Sequence, residues 1–121
     1  FSLGKLYYRA DRVEKPITQI NTRIISKGMG WCDDPKSSLY NKELIINDKI
    51  KHEKLFKKDN SYDYFIVINY NTKNIKQNKG SAIFIHLTKN YKKTAGCIAL
   101  KKKDFLIMTK LLSKKNKIKI N

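Results

Sequence analysis

Cysteine, histidine and proline each occur only twice in this 121-residue chain, tryptophan once and glycine five times. The two cysteines, Cys32 and Cys97, permit at most one intramolecular disulfide, and their spacing matches no zinc motif. Scarce proline, with 40% hydrophobic residues gathered in well-formed runs, does not suggest a disordered segment. None of those runs approaches the roughly 18 residues of a membrane-spanning helix. No secretory leader is visible, because Phe1 opens directly into strand-like sequence.

Acidic residues are few as well, 10 against 27 Lys+Arg, and the formal net charge is +17. A balance this basic draws the chain to something anionic: nucleic acid, an acidic membrane surface or a wall polymer. Lysine supplies all of it except Arg9, Arg12 and Arg23. Lysine is a hydrated point charge, so most of this charge reads as solvated surface. The three arginines carry the planar fork that grips a carboxylate. The length points to a single domain over residues 1–121.

Periodicity places the elements. FSLGKLYYRADRV reads as a strand, with Phe1, Leu3, Leu6 and Tyr8 apolar and Gly4 a bulge. Residues 17–25, ITQINTRII, read as a second, β-branched strand. Residues 26–41, SKGMGWCDDPKSSLYN, read as one long loop, and loops of that length are often functional. ELIIND reads as a short strand and KIKHEKLFKKDNS as a polar stretch with a helical turn. YDYFIVINY (62–70) and SAIFIHL (81–87) are the strongest strands, joined by a basic loop. Residues 88–96 read as a turn or loop, after which CIAL is extended again. From Lys101 to Ser113 the period becomes helical, with Phe105, Met108 and Leu112 on one face. The basic first turn opposes the helix dipole, which Asp104 partly offsets. Ile118 and Ile120 alternate in the tail as an edge strand or a frayed end. The expected fold class is mainly β: a β-sandwich or partly closed barrel with a C-terminal amphipathic helix.

One histidine and one cysteine stand eleven positions apart across the last two strands, His86 and Cys97. A cysteine attacks as thiolate, so its site must draw off the proton, which a nearby imidazole does. The developing oxyanion then needs backbone N–H donors. Gly96 before Cys97 permits a tight turn and close approach of a substrate, and Thr94 offers a hydroxyl. His86 closes an apolar strand, a rigid mount for a base. The plainer alternative is that Cys97 is a small packed hydrophobe and His86 an ordinary strand residue.

GSAIFIHL, a basic loop with Tyr91, then TAGCIAL and an amphipathic helix together resemble the L,D-transpeptidase catalytic domain (YkuD type). YYRADRV and GWCDDP…YN upstream look like one branch of that family, and the resemblance runs from about Phe1 to Leu112. It implies a β-rich fold and a cysteine acyl-transferase of peptidoglycan. It makes Cys97 the nucleophile and His86 the base, puts Thr94 in the place of a serine, and makes the amides around Gly96 and Cys97 the oxyanion hole. The implied substrate is the bond between diaminopimelate and terminal D-alanine in a tetrapeptide stem. An amine acceptor gives a transpeptidase, water an L,D-carboxypeptidase. The resemblance also implies a cell-envelope or periplasmic address. Departures from the commoner pattern are Leu87 for a glycine, Ala95 for a second histidine and Ala99 for an arginine. A Thr-Pro-x-Gly stretch that usually precedes the first strand is missing, as if the N-terminus were trimmed.

Arg9 and Arg12 are candidate carboxylate binders. Trp31, Asp34, Tyr40 and Asn41, all in the 26–41 loop, are candidates to line a groove for the stem peptide, Asp34 facing its amines. A turn held by Asx bonds and anchored on Trp31 is the structural alternative. Cys32 beside Asp33 and Asp34 is a poor nucleophile, because neighbouring acids raise a thiol pKa. No metal or other cofactor is expected. The expected partners are stem peptides and anionic wall polymer, with a monomer, no nucleic acid and no transmembrane segment. A non-catalytic wall-binding or nucleic-acid-binding module is the rival: interleaved Tyr and Lys can stack bases and contact phosphates. Against nucleic acid, the aromatics sit mostly inside apolar strands.

Overall fold

The computed structural model describes residues 1–88, 97–113 and 115–119. Among them are eight strands and one helix: β1 (Leu3–Tyr8), β2 (Thr22–Ile24), β3 (Met29–Cys32), β4 (Glu43–Ile45), β5 (His52–Lys54), β6 (Tyr64–Ile68), β7 (Phe84–Leu87), β8 (Ile98–Leu100) and α1 (Lys102–Leu111). They form a five-stranded sheet in the order β2-β1-β6-β7-β8 and a three-stranded sheet in the order β4-β3-β5. The fold is mainly β, as expected, and the two sheets do not close into a barrel.

β6 and β7 are buried along their whole length, YFIVI and FIHL. Continuous apolar runs of this kind belong to strands covered on both faces. Alternation sorts their side chains. Ile66, Ile68, Ile85 and Leu87 join Leu6 and Tyr8 of β1 and Phe105 of α1 in one cluster. Phe65, Val67 and Phe84 join Tyr7, Met29, Trp31, Leu55 and Tyr62 in the other. The helix therefore packs on one face of the large sheet, and the small sheet packs on the other.

The pairing of β1 with β6 shifts register between Leu3 and Leu6, which is the bulge expected at Gly4. A side chain at Gly4 would meet Asn69 and Val67 at 3.0–3.1 Å. α1 lies where the helical period put it, with Phe105 fully buried. The tail bridges Ser2 through Lys117.

Three expectations are corrected. The 26–41 segment is not one loop, because Met29–Cys32 is the central strand of the small sheet. Its two glycines suggested a loop; Gly30 instead lets β5 and β4 close on both sides, with Glu53 O and Leu44 within 3.2 Å of where a Cβ would stand. The polar stretch around 49–61 holds strand β5 (His52–Lys54), not a helical turn; its pairing with β3 overrides a charged local sequence. The strand over 17–25 shrinks to Thr22–Ile24, parallel to β1.

Candidate active site

Strand register puts His86 and Cys97 on one face of the large sheet. β7 and β8 are parallel, with Ile85 opposite Ile98 and His86 opposite Ala99. Paired residues share a face, and alternation puts Cys97, two before Ala99, on that face too. His86 is also opposite Phe65 of β6, a member of the aromatic cluster against which Cys97 packs. Both side chains therefore face the small sheet on neighbouring strands, two residues apart in register.

His86 is buried, and its Nδ1 lies 2.9 Å from the carbonyl of Leu87. A carbonyl only accepts, so Nδ1 donates, and it is Nε2 that is left to face a reacting group. The ring is braced by Tyr62, edge-to-face at 5.6 Å between centroids. A ring with a fixed tautomer and a fixed plane is the result.

Cys97 is half-buried and its Sγ–H donates to the Ala82 carbonyl at 3.2 Å. The Phe84 N–H in turn donates to Sγ at 3.5 Å. Burial pushes the Cys97 thiol above its usual range, and the Phe84 hydrogen bond offsets only part of that. Glu53 pushes the same way and Lys57 opposes it. The lowered pKa expected of a thiolate–imidazolium pair is thus not what this geometry favours. Cys32 is fully buried, and neither cysteine is in a disulfide.

Ala82 presents its carbonyl from a left-handed backbone at φ 55°, a conformation a neighbour must hold in place. That neighbour is Asn41. Its Oδ1 accepts from the Ala82 N–H at 3.2 Å and from Trp31 Nε1 at 2.9 Å. Its Nδ2 donates to the carbonyls of Tyr70 and Asn71 at 2.9 and 2.7 Å. The Tyr40 hydroxyl accepts from the Gly80 N–H at 3.3 Å, and Ser81 Oγ donates to the Cys32 carbonyl at 2.8 Å. Trp31, Tyr40 and Asn41 are buried, so they form a hub that fixes the 80–82 turn behind the sulfur. Asp34 is half-buried and accepts from the Lys36 and Lys51 N–H groups, at 3.0 and 3.3 Å, which makes it a turn brace.

The arginines brace another segment. Arg9, 3% exposed, makes a forked contact with Asp11, donates to the Lys57 carbonyl at 2.7 Å and stacks 3.5 Å over Phe56. Arg12 donates to the carbonyls of Lys58 and Asp59 and to Asp63. Together they clamp residues 57–63 against β1. Arg23 is spent on Glu43 through two bonds of 2.7–2.8 Å. Thr94 and Gly96 lie outside the described residues.

Sequence reasoning missed Glu53 and Lys57, and took Tyr62 for core alone. Glu53 Oε1 accepts the Tyr62 hydroxyl at 3.0 Å and pairs with Lys57 Nζ at 2.9 Å. Burial holds the Tyr62 phenol well above its usual range, with Glu53 and Cys97 adding to the effect, so it stays a donor. The one available signal was the four-residue Glu–Lys spacing, which nothing local separates from the other charges of that stretch. Among the described residues no group of three or more His, Cys, Asp or Glu is placed to hold a metal ion, and no helix is long and apolar enough to cross a membrane.

The chain matches the YkuD family, L,D-transpeptidase catalytic domain, over residues 1–120, and it belongs to that family. The family's activity is peptidoglycan transfer chemistry at the cell wall. Comparison with curated proteins and with solved structures returns no match.

Proposed function

We propose that this protein is a cysteine-dependent L,D-transpeptidase that acts on the diaminopimelate–D-alanine bond of tetrapeptide stems through a thioester on Cys97. The observation that carries the reading is the shared face of Cys97 and His86, with the ring tautomer held by the Leu87 carbonyl. The thiol rests as S–H on Ala82, so its proton moves to His86 Nε2 as sulfur attacks the donor carbonyl. The family resemblance assigns the oxyanion to the backbone N–H groups of Gly96 and Cys97. Collapse breaks the C–N bond, the imidazolium returns the proton to the departing D-alanine amine, and a thioester remains. His86 then takes a proton from the amine of a second stem as it attacks, and Cys97 leaves with it. With water in that place the product is the shortened stem of an L,D-carboxypeptidase. A substrate of this kind supports a cell-envelope address, where the positive surface would hold the protein to anionic wall polymer.

The test is incubation with a disaccharide-tetrapeptide, followed by mass spectrometry for D-alanine release, dimer formation and an acyl adduct on Cys97. Cys97→Ala should lose all product and His86→Gln should lose about 10³-fold or more. Equal product from Cys97→Ala would overturn the reading.

A further inference from the structure

The chain's charge is unevenly spread. From Lys101 to Asn121 stand eight lysines and one acid, Asp104, and the other nine acids all precede Tyr64. Much of this charge rides on α1. Phe105 and Thr109 are the buried residues of the helix, so its period turns positions 103, 107, 110 and 111 outward. Lys103 and Lys110 are exposed there, and neither makes an ion pair with a described residue. Beside them the core leaves two aliphatic side chains in water. Ile107 is 50% and Leu111 78% exposed, one helical turn apart on the same outward face. Ile98 of the edge strand β8 shares the Ile85 face of the sheet, which is the α1 face, and it too is exposed. The turn that follows the helix adds the exposed Lys115 at its C-terminal end. Cys97 and His86 belong to the opposite face of the sheet, so a surface laid against α1 does not lie over the sulfur.

We propose that the outer face of α1 docks this protein on an anionic phospholipid bilayer. Lys103 and Lys110 meet the headgroup phosphates, and Ile107 and Leu111 enter the boundary between headgroups and acyl chains. A hydrated polyanion would satisfy the lysines and leave both aliphatics in water. A neutral apolar partner would cover the aliphatics and leave the lysines unmatched. An anionic bilayer takes both. The contact is peripheral, since no helix among the described residues is long and apolar enough to cross a membrane. It goes beyond the proposed function and does not rest on it, because no group of the Cys97 face takes part.

Co-sedimentation of the whole chain with vesicles tests the docking face, at about 0.1 M salt, where surface charge still acts. Vesicles of phosphatidylglycerol in phosphatidylcholine should bind the protein, and pure phosphatidylcholine should not. Lys103→Gln with Lys110→Gln should weaken binding about 25-fold, roughly fivefold for each lysine. Ile107→Gln with Leu111→Gln keeps the charge; it should weaken vesicle binding about tenfold and leave retention on soluble polyphosphate unchanged. Lys36→Gln with Lys49→Gln removes the same charge from the β3–β4 and β4–β5 connections, and should change binding by less than about twofold. All six side chains are exposed, so no substitution reaches the core. Failure to bind the anionic vesicles would overturn the proposal. So would an equal loss in the Lys36 and Lys49 variant, which means net charge alone. Unchanged vesicle binding in the Ile107 and Leu111 variant would also overturn it, in favour of a polyanion. No turnover enters the measurement, so failure of the catalytic reading and failure of this one are told apart.

Discussion

The two faces of the five-stranded sheet differ in kind. The face under α1 is built from leucines and isoleucines around Phe105 and two tyrosines. The face under the small sheet is built from rings, Tyr7, Trp31, Tyr62, Phe65 and Phe84, with His86 and Cys97 at its margin. Aliphatic packing stabilises by area and shape but offers no polar atom. Aromatic packing buries comparable area, and its Tyr and Trp members still present a donor. Here Tyr62 uses its donor on Glu53 and Trp31 on Asn41, so the rings that fill the core also orient the groups around the sulfur. One face holds the fold and the other holds the fold and the site.

The comparison breaks most sharply at Phe105, fully buried and stacked on Tyr64 at 5.8 Å. Phe105→Ala should cost about 3–5 kcal/mol in urea unfolding. In the fraction still folded, the alkylation rate of Cys97 should stay near that of wild type. A change on the ring face should move both readouts. Asn41→Ala strips partners from Trp31 Nε1 and the Ala82 N–H, and should cost about 3 kcal/mol. With the 80–82 turn released, Cys97 alkylation should accelerate; an unchanged rate would separate the hub from the sulfur.

A smaller effect is read by pH. Since burial holds the thiol above its usual value of 9.0, iodoacetamide labelling of Cys97 should rise about tenfold per pH unit through neutrality. It should level off only above that value, whereas a plateau near neutrality would mean a preformed thiolate. Cys97 should label before the fully buried Cys32.

The smallest effect belongs to Glu43 on the ring face. Burial raises its pKa, but hydrogen bonds from Arg23 and Tyr7 outweigh that and leave it below the ordinary 4.5. A carboxyl depressed in the folded state adds stability above the ordinary value, and that stability is lost as pH falls through the folded one. Arg23→Met should therefore cost under about 1 kcal/mol at neutral pH, and the cost should vanish in acid.

Much of the architecture was legible because burial on one or both faces writes itself into periodicity. β1, β6, β7 and α1 follow that rule, and the bulge at Gly4 follows from its missing Cβ. β3 and β5 did not, since MGWC and HEK are strands only through their partners; nothing local in Gly30 or Glu53 announces a ladder. The site divides in the same way. Cys97 and His86 stood out as scarce residues on strong strands. The tasks of Arg9, Arg12 and Asn41 turn on hydrogen bonds to backbone groups about thirty to fifty positions away, and Trp31 donates to the Asn41 side chain. Lys57 was one lysine among many until the fold set it against Tyr62.

Arg9 grips position 57 by its peptide oxygen. That anchor is indifferent to whatever group hangs from the same α-carbon. A different side chain there leaves the tether intact and removes the ammonium that meets Glu53 and the Tyr62 ring. The side chain at this position is therefore open to drift among descendants of the gene, while the framework around it stays put.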